Sequence, residues 1–342
     1  MTRKNLWIFS LEPIETRYTK HWYTYLQKKF QEDLGDDYWV NQINGWDIYN
    51  GSATTGAFLN FTNTNGWKSS QLINFVDLIG KDCVNDDDVL FFTDFWNPAI
   101  LQVKYMKDLM DKNWKIIALA HAGSYDPSDF LGRKIEDKTW SYAAETAMAE
   151  ACDRLVFATA FHVELFKKKI TINPDKIMIS GFPLEYTQKI FEDLRNREKF
   201  NCVIFPHRNA PEKQPHLFEL TKLANPEYKF YNPMELGFTK NEYHNMLSAC
   251  KVAVSFATQE TLGIAMYEAM EANVLPLVPN RLSYYEMYDP LFRYDTMEEF
   301  QKKLKLFMED YQDIVEDSAF KTNLKKLRFQ YFSMDTKSVI NI

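Results

Sequence analysis

The sequence predicts an α/β protein made of two doubly wound, Rossmann-like domains in series. Short apolar runs alternate with helical stretches along most of the 342 residues, which is typical of parallel sheets whose strands are joined by helices. The alternation is interrupted once, by Gly181-Phe-Pro and the charged stretch 192–199, and then starts again. The chain is also longer than most single domains. We therefore expect two domains facing a central cleft, with the break near residues 185–200.

The first series of elements begins almost at the start of the chain. An aromatic-rich helix is expected to follow the first strand, and further helices precede and follow the fourth. Residues 41–69 are rich in Asn, Thr and Gly and are expected to form a long irregular insertion, a type of segment that is often functional. The predicted strands are 5–10, 89–92, 115–120, 154–157 and 176–180, and the predicted helices are 21–30, 139–151 and 160–169.

The second series repeats the pattern and closes with helices. We expect an N-terminal domain over residues 1–190 and a C-terminal domain over 197–327, with a C-terminal helix at about 328–342 packing back on the first domain. The predicted strands are 201–206, 228–231, 252–256 and 275–278, and the predicted helices are 215–224, 239–249, 262–272, 297–311 and 318–331.

Composition narrows the class of protein. A formal charge of -7 argues against bulk electrostatic binding of nucleic acid, although it leaves room for a local basic groove. The N-terminal apolar run is too short for a signal peptide or a membrane span, so we expect a cytoplasmic protein without a spanning segment. The spacing of the four cysteines favours buried free thiols over disulfides or a zinc site. They are Cys83, Cys152, Cys202 and Cys250.

The strongest chemical signal is the segment SFATQETLGIAMYEA at residues 255–269. A predicted strand ends in it, a loop presents Glu260, and a helix begins near Gly263 and carries Glu268. Ligands of open α/β sheets bind beyond the carboxyl ends of strands, and a helix N-terminus offers N–H groups to a diphosphate. Eight residues of helix span about 12 Å, comparable to the distance between the sugar and the ribose of a nucleotide sugar. The alternative is two unrelated glutamates on a surface helix.

This segment resembles the retaining GT-B glycosyltransferases of family 4, whose signature is two glutamates separated by seven residues. The resemblance implies that Glu260 contacts the transferred sugar and Glu268 the ribose. It assigns donor binding also to the residues at the start of the helix, which are Thr261, Leu262 and Gly263.

Two further segments match the same family. In FPHRNAPEK, residues 205–213, the resemblance implies that Arg208 and Lys213 neutralise the leaving diphosphate, whereas the residues alone also fit a solvated basic loop. His121 follows a predicted strand, where similar enzymes place a histidine against the donor sugar, although a lone histidine is more often structural. The resemblance implies neither a metal nor a bound cofactor, because the nucleotide sugar is a co-substrate. Asp86-Asp-Asp88 precedes a strand and is expected to be a solvated turn rather than a metal motif.

Narrower resemblances concern the acceptor. The second domain resembles tRNA-queuosine mannosyltransferase-like proteins through its Pro-His-Arg loop, its Glu-x-x-Gly-x-Ala-Met-x-Glu-Ala helix and Pro276-Leu-Val-Pro279. The opening EPIETRYTKHW, residues 12–22, lacks the glycines of many relatives. It resembles phage-encoded glycosyltransferases, including those that add arabinose to 5-hydroxymethylcytosine in DNA, and a phage protein would work in the host cytoplasm.

These resemblances imply retaining, metal-independent transfer of a sugar, arabinosyl or glucosyl, from a nucleoside-diphosphate sugar such as a UDP-sugar. The expected acceptor is 5-hydroxymethylcytosine in DNA, ahead of tRNA. Alternatives are transfer to tRNA, lipid or polysaccharide, a sugar-nucleotide epimerase, and a silent sugar-nucleotide binding protein. The residues expected to bind the acceptor, on loops of the first domain, are Arg17, Tyr18, Trp96, Ser124 and Asp126.

Overall fold

The computed structural model describes residues 3–48, 54 and 59–341, which form two compact units. The first unit comprises residues up to Phe157, then Val163–Ser180 and the C-terminal segment from Met334. The second comprises Ala158–His162 and Gly181–Ser333.

The first unit holds a six-stranded, all-parallel sheet with strand order β2-β1-β3-β4-β5-β6. Its central strands are almost wholly apolar, as expected for strands covered on both faces. The strands are β1 (Lys4–Phe9), β2 (Tyr38–Ile43), β3 (Val89–Phe92), β4 (Lys115–Leu119), β5 (Arg154–Phe157) and β6 (Ile177–Ile179). The helices along this part of the chain are α1 (Tyr18–Leu34), α2 (Phe61–Gly80), α3 (Ala99–Leu109), α4 (Phe130–Lys134), α5 (Lys138–Ala151) and α6 (Ala160–Lys167).

The second unit holds a five-stranded parallel sheet with strand order β11-β10-β9-β7-β8. A π-helical turn, Leu327–Tyr331, follows its last helix. The strands are β7 (Phe200–Ile204), β8 (Lys229–Tyr231), β9 (Cys250–Val254), β10 (Leu275–Pro279) and β11 (Arg293–Tyr294). The helices are α7 (Thr187–Ile190), α8 (Pro215–Ala224), α9 (Lys240–Ala249), α10 (Ile264–Glu271), α11 (Tyr284–Met287), α12 (Met297–Glu309), α13 (Tyr311–Glu316) and α14 (Ser318–Lys326). The prediction of two doubly wound α/β domains is confirmed.

The C-terminal segment belongs to the first unit. It forms the short helix α15 (Thr336–Ile340), whose Val339 and Ile340 are buried. Thr336 donates a hydrogen bond to Asp33 at 2.7 Å, and Arg154 donates to the carbonyl of Val339 at 2.9 Å. These contacts attach the end of the chain to α1 and to the start of β5.

The expected irregular insertion at 41–69 is wrong for the residues that the structure describes. Residues 41–43 complete the edge strand β2, and 61–69 form the first half of α2, whereas 49–53 and 55–58 lie outside the described residues. The side chain of Asn60 caps α2 by accepting hydrogen bonds from Thr62 and Asn63. Thr and Asn, which follow Phe61 in the first turns of α2, are poor helix formers, so this helix depends on tertiary contacts. Trp67 and Gln71, for example, both donate to the carbonyl of Ser10, at 2.8 and 2.7 Å.

The aspartate run at 86–88 is only partly a solvated turn. Asp86 and Asp87 are exposed, as predicted, but Asp88 is fully buried. Its carboxylate accepts hydrogen bonds from the indole N–H of Trp7 at 2.8 Å and from the backbone N–H groups of Asn5 and Asn85. Asp88 therefore ties the start of β3 to β1.

All four cysteines are free thiols. Cys152, Cys202 and Cys250 are buried, as predicted, whereas Cys83 is exposed. In the part of the chain that the structure describes, helices long and apolar enough to cross a membrane are lacking.

Candidate active site

The carboxyl ends of the paired strands β7 and β9 place two of the predicted loops side by side in the second unit. The backbone N–H of Thr258 donates to the carbonyl of Glu212 at 2.8 Å, and Lys213 donates to the carbonyl of Gln259 at 2.6 Å. Two loops separated by about forty residues are thus bound to each other. Lys213 and Glu260, predicted from separate motifs, come together there.

Lys213 and Glu260 form an ion pair in which the lysine is buried and the glutamate side chain is 18% exposed. The ammonium lies 3.1 Å from one carboxylate oxygen, and the other oxygen accepts hydrogen bonds from the backbone N–H groups of Thr261 and Leu262 at 3.2 and 3.3 Å. Burial opposes ionisation of Glu260, but Lys213 and the local hydrogen bonds lower its pKa to about 2. Burial lowers the pKa of the neighbouring His207 to about 3, so that ring is neutral at pH 7. At pH 7 the pair therefore consists of one negative and one positive charge beside a neutral imidazole.

This pair makes stability depend on pH. Because the folded-state pKa of Glu260 is about 2 against an ordinary value of 4.5, its contribution is present above pH 4.5 and is lost as the pH falls toward 2. We expect the free energy of unfolding to decrease by about 3 kcal/mol over that range from this group. Urea denaturation at several pH values would measure it, and Glu260→Gln should have a shallower dependence. The same pH slope in both proteins would contradict the assignment.

Gly263 is required where the loop turns into α10. Its φ of +74° lies in the left-handed region, and a Cβ there would sit 2.7 Å from a ring carbon of the buried Tyr284. The Tyr284 hydroxyl lies 3.1 Å from that of Ser255, which holds the ring in place. Both the backbone conformation and the packing therefore exclude a side chain at this position.

Gly237 offers a matched control for Gly263, since its φ is +65° but nothing lies within 4 Å of an added Cβ. Gly237→Ala should cost about 1–2 kcal/mol of stability through backbone strain alone. Gly263→Ala should cost about 1–3 kcal/mol more, because Tyr284 must also move. Thermal and urea denaturation of the two variants would measure the difference. Equal losses would show that the contact with Tyr284 is unimportant.

Glu268, on α10, is held by residues of α9. Lys240 contacts one carboxylate oxygen at 2.8 Å, and the hydroxyl of Tyr243 donates to the other at 2.8 Å. Although burial opposes ionisation, Lys240 and His244 keep the pKa of Glu268 well below its usual range. A carboxylate has about four acceptor positions. Glu268 is thus charged, fixed in orientation and still able to accept hydrogen bonds from a ligand.

Arg208 lies in the same loop as Lys213 and forms an ion pair with the buried Glu212. The expected donor-binding amides of Thr261 and Leu262 donate to Glu260 in this structure, so a phosphate would compete with that carboxylate for them. The binding roles of these residues stay predictions.

In the first unit, His121 follows β4 and is fixed through both ring nitrogens. Nε2 lies 2.6 Å from the carbonyl of Thr93, so it carries the proton, and the hydroxyl of Tyr18 donates to Nδ1 at 2.7 Å. The ring of Trp22 packs edge-on against His121. Burial lowers the pKa of His121, which keeps the ring neutral. Its role toward a donor sugar stays a prediction.

Three of the residues expected to bind an acceptor, Trp96, Ser124 and Asp126, have hydrogen-bond partners within the first unit. Glu145, fully buried on α5, accepts hydrogen bonds from the indole N–H of Trp96 at 2.7 Å and from the hydroxyl of Ser124 at 2.8 Å. Asp126 is buried and accepts from the N–H of Ser128. Glu145 therefore ties together two loops that follow β3 and β4, and the three predicted residues help to shape those loops.

Arg17 and Tyr18 lie at the start of α1. Arg17 precedes the first helical residue, and its guanidinium carbon lies 5.7 Å from the centre of the Tyr18 ring. Tyr18 is committed to His121, and burial raises its pKa to about 12. Its phenol therefore donates a hydrogen bond at neutral pH, and acceptor binding by both residues stays a prediction.

Solved structures share this architecture, although no protein-family model matches the chain. Sucrose-phosphate synthase from Thermosynechococcus elongatus superposes with a TM-score of 0.65 at 11% identity, covering 99% of this chain and 96% of that one. HepE from Anabaena, solved with UDP, gives 0.57 at 12% identity and covers 99% and 97%. The lipopolysaccharide outer core galactosyltransferase WaaB gives 0.59 at 10% identity and covers 98% and 97%.

The chain has the GT-B fold. Identities this low establish the fold alone, and the fold confirms the prediction of a GT-B architecture. The narrower resemblances, to tRNA-queuosine mannosyltransferase-like proteins and to phage DNA glycosyltransferases, stay predictions.

Sequence reasoning predicted Lys213, which holds Glu260, but missed the residues that hold Glu268. Lys240, Tyr243 and His244 lie on α9, where no motif marks them, and they meet Glu268 only through helix packing. Glu212 lies in the predicted basic loop, but no motif indicated that it would form an ion pair with Arg208. A spacing of three and four residues, which puts Lys240, Tyr243 and His244 on one helical face, is the one pattern that could have pointed to them.

Proposed function

We propose that the protein is a retaining, metal-independent glycosyltransferase that uses a nucleoside-diphosphate sugar, such as a UDP-sugar. The observation that carries this proposal is the arrangement of Glu260 and Glu268. Each is charged and paired with its own lysine. Glu260 lies in the loop that precedes α10 and is 18% exposed, and Glu268 is buried on α10 itself. Binding of UDP by HepE, which has the same fold, supports a nucleotide donor.

The donor would be held as follows. Glu268 accepts hydrogen bonds from the two ribose hydroxyls, and Glu260 orients a hydroxyl of the sugar. Arg208 and Lys213 carry positive charge toward the diphosphate, which gains negative charge as the glycosidic bond breaks. Fixed cations at developing negative charge lower the barrier most in a site shielded from water. They supply the neutralisation that a metal ion gives in other transferases.

The transfer step balances without a protein nucleophile. The acceptor hydroxyl attacks the anomeric carbon on the face that the diphosphate leaves, through an oxocarbenium-like transition state. The new bond joins that carbon to the acceptor oxygen, the bond to the phosphate oxygen breaks, and the departing phosphate takes the acceptor proton. The products are a glycoside of retained configuration and the nucleoside diphosphate. Nδ1 of neutral His121 would accept from the hydroxyl edge of the sugar in place of its present hydrogen bond from Tyr18, while Nε2 stays bonded to Thr93.

For the acceptor we propose 5-hydroxymethylcytosine in DNA. The support is the resemblance of residues 12–22 to phage glycosyltransferases and the aromatic residues near the strand ends of the first unit, where Trp96 is partly exposed. A base-modifying enzyme must take its target out of the stack, and aromatic side chains can receive an extruded base. Transfer to tRNA, lipid or polysaccharide is the alternative within the same chemistry.

Mass spectrometry of nucleosides tests this function. The protein is incubated with hydroxymethylcytosine DNA and a panel of UDP-sugars, with unmodified DNA and tRNA as controls and EDTA in a parallel series. A pentose or hexose increment on hydroxymethylcytosine, unaffected by EDTA and of retained anomeric configuration by NMR, is the expected result. Donor hydrolysis without any nucleic acid product would move the acceptor to lipid or polysaccharide. Absence of both transfer and hydrolysis would refute the transferase.

A further inference from the structure

The segment that follows β1, residues 10–17, is held in one conformation by threonines of neighbouring elements. The N–H of Leu11 donates to the hydroxyl of Thr93 at 2.9 Å, and the N–H of Ile14 contacts that of Thr19 at 3.3 Å. Thr93 in turn donates to the carbonyl of Phe9 at 2.9 Å, which joins the ends of β1 and β3. The segment contains no glycine, so a ligand bound at this segment would meet side chains rather than bare backbone.

Glu12, in this segment, has one carboxylate oxygen without a hydrogen-bond partner among the described residues. The side chain is 7% exposed, and Oε1 accepts a hydrogen bond from the hydroxyl of Thr64 on α2 at 2.6 Å. Oε2 is buried and makes no hydrogen bond to any residue that the structure describes. Buried polar groups are nearly always satisfied, so an exception in a well-packed unit calls for a donor that the described residues do not supply.

The nearby cation is already engaged elsewhere. Lys68, one helical turn beyond Thr64, forms an ion pair with Asp94 at 2.6 Å and also donates to the carbonyl of Trp96. Lys68 helps to hold the pKa of Asp94 low against the effect of burial. The pKa of Glu12 is instead raised, because burial outweighs the hydrogen bond from Thr64 and the more distant charges of Lys68 and Arg17. The pKa values of these two carboxyl groups are therefore shifted in opposite directions, upward for Glu12 and downward for Asp94.

The position of Glu12 fits a ligand. β1, β3 and β4 are neighbours in the sheet, and Glu12, Asp94 and His121 follow their carboxyl ends. This is the edge at which doubly wound sheets bind ligands. Both ring nitrogens of His121 are engaged by Tyr18 and Thr93. Glu12 is therefore the group of the three whose hydrogen-bonding capacity is least used.

We propose that Oε2 of Glu12 accepts a hydrogen bond from an alcohol hydroxyl of the substrate, with Thr64 fixing the carboxylate. The inference rests on the proposed glycosyltransferase function and adds a binding residue to the first unit. The hydroxyl belongs either to the acceptor or to the transferred sugar. Both present the same chemistry, and the experiment below separates them.

Glu12→Gln is the informative variant, because an amide that keeps its oxygen toward Thr64 places an NH₂ donor where Oε2 now accepts. Glu15→Gln is the matched control, since Glu15 lies in the same segment but is exposed. Three quantities are measured for each protein: the Kd of UDP, the KM of UDP-sugar in donor hydrolysis, and the KM of hydroxymethylcytosine DNA in transfer.

An acceptor KM at least tenfold higher in Glu12→Gln, with hydrolysis unchanged, assigns Glu12 to the acceptor hydroxyl. A donor KM at least tenfold higher, with the Kd of UDP unchanged, assigns it to the sugar. Values equal to those of the wild type and Glu15→Gln overturn the proposal for Glu12 and leave the proposed function intact. A wild-type protein that turns over no UDP-sugar overturns both.

Thermal unfolding separates binding from a structural role. Removing a buried carboxylate with an unsatisfied oxygen should leave the Tm of Glu12→Gln equal to or above that of the wild type. A structural carboxylate would give a lower Tm. Thr64→Val is a second variant that keeps the charge of Glu12 but removes the hydroxyl that orients it. We expect the same KM to rise by a smaller factor, and an unchanged KM would contradict the role of Thr64.

Discussion

Replacing Lys213 with methionine should lower the kcat of sugar transfer by about 100- to 1000-fold, the usual loss on removing one charge-stabilising donor from an active site. Lys213 is the buried cation of the second unit that lies closest to Glu260, at 3.1 Å, and the carbonyl of Gln259 anchors it. Methionine keeps most of the length and removes the charge. Because the diphosphate gains charge only as its bond to the sugar breaks, kcat should fall more than the affinity for the donor.

Single-turnover kinetics with a UDP-sugar would measure the effect of Lys213→Met, and Lys222→Met is the control. Lys222 lies on α8, the helix that follows the loop of Lys213, and it forms an ion pair at the surface with Glu219. The variant also leaves Glu260 with less compensation, so its folding should be checked by circular dichroism and thermal unfolding. A folded variant with a kcat within threefold of the wild type would remove Lys213 from the reaction.

Glu268→Gln should weaken UDP binding by about 10- to 100-fold, whereas the kcat of sugar transfer should change by a smaller factor. A hydrogen bond to a charged group contributes about 1.5–3 kcal/mol, and every 1.4 kcal/mol is tenfold in Kd. Glutamine keeps the shape of the side chain but exchanges one acceptor for a donor. Lys240 and Tyr243 would then have only a neutral partner, and the amide could not accept from both ribose hydroxyls.

Isothermal titration calorimetry with UDP and with UMP would measure the loss, since both carry the ribose. Glu219→Gln removes a surface carboxylate of the same unit and serves as control. If Glu268→Gln binds UDP as tightly as the control, Glu268 does not hold the ribose. A loss confined to UDP, with UMP unaffected, would place Glu268 near the diphosphate instead.

The sequence located the core of the candidate site because parallel sheets bring the carboxyl ends of their strands to one edge. Residues 205–213 and 255–263 follow β7 and β9, and the apolar runs of those strands are easily recognised. The position of both loops at one edge of the sheet could therefore be predicted without coordinates, whereas the pairing of β7 with β9 could not. The spacing of residues in these two loops identified the candidate site. The chemical role of each residue can be tested only with a bound ligand.

What could not be predicted depends on packing between elements far apart in the chain. The first turn of α2 is mostly Thr and Asn, and the helix contacts Ser10 and Glu12, which lie about fifty residues earlier in the chain. Lys240 and Tyr243 reach Glu268 from another helix. The sequence does not distinguish Asp88 from Asp86 and Asp87, but of the three only Asp88 is buried, where it accepts a hydrogen bond from Trp7. In each case the local sequence contains no trace of the partner.

The attachment of residues 334–342 to the first unit determines the order in which the chain can fold during synthesis. Domains generally fold as units while the chain leaves the ribosome, from the N-terminus onward. Here residues 181–333 emerge before the segment that supplies Val339 and Ile340 to the first unit. The unit that is begun first is therefore completed last. Its six strands all precede residue 181, but the contacts of α1 and β5 with α15 form only after the second unit has been synthesised.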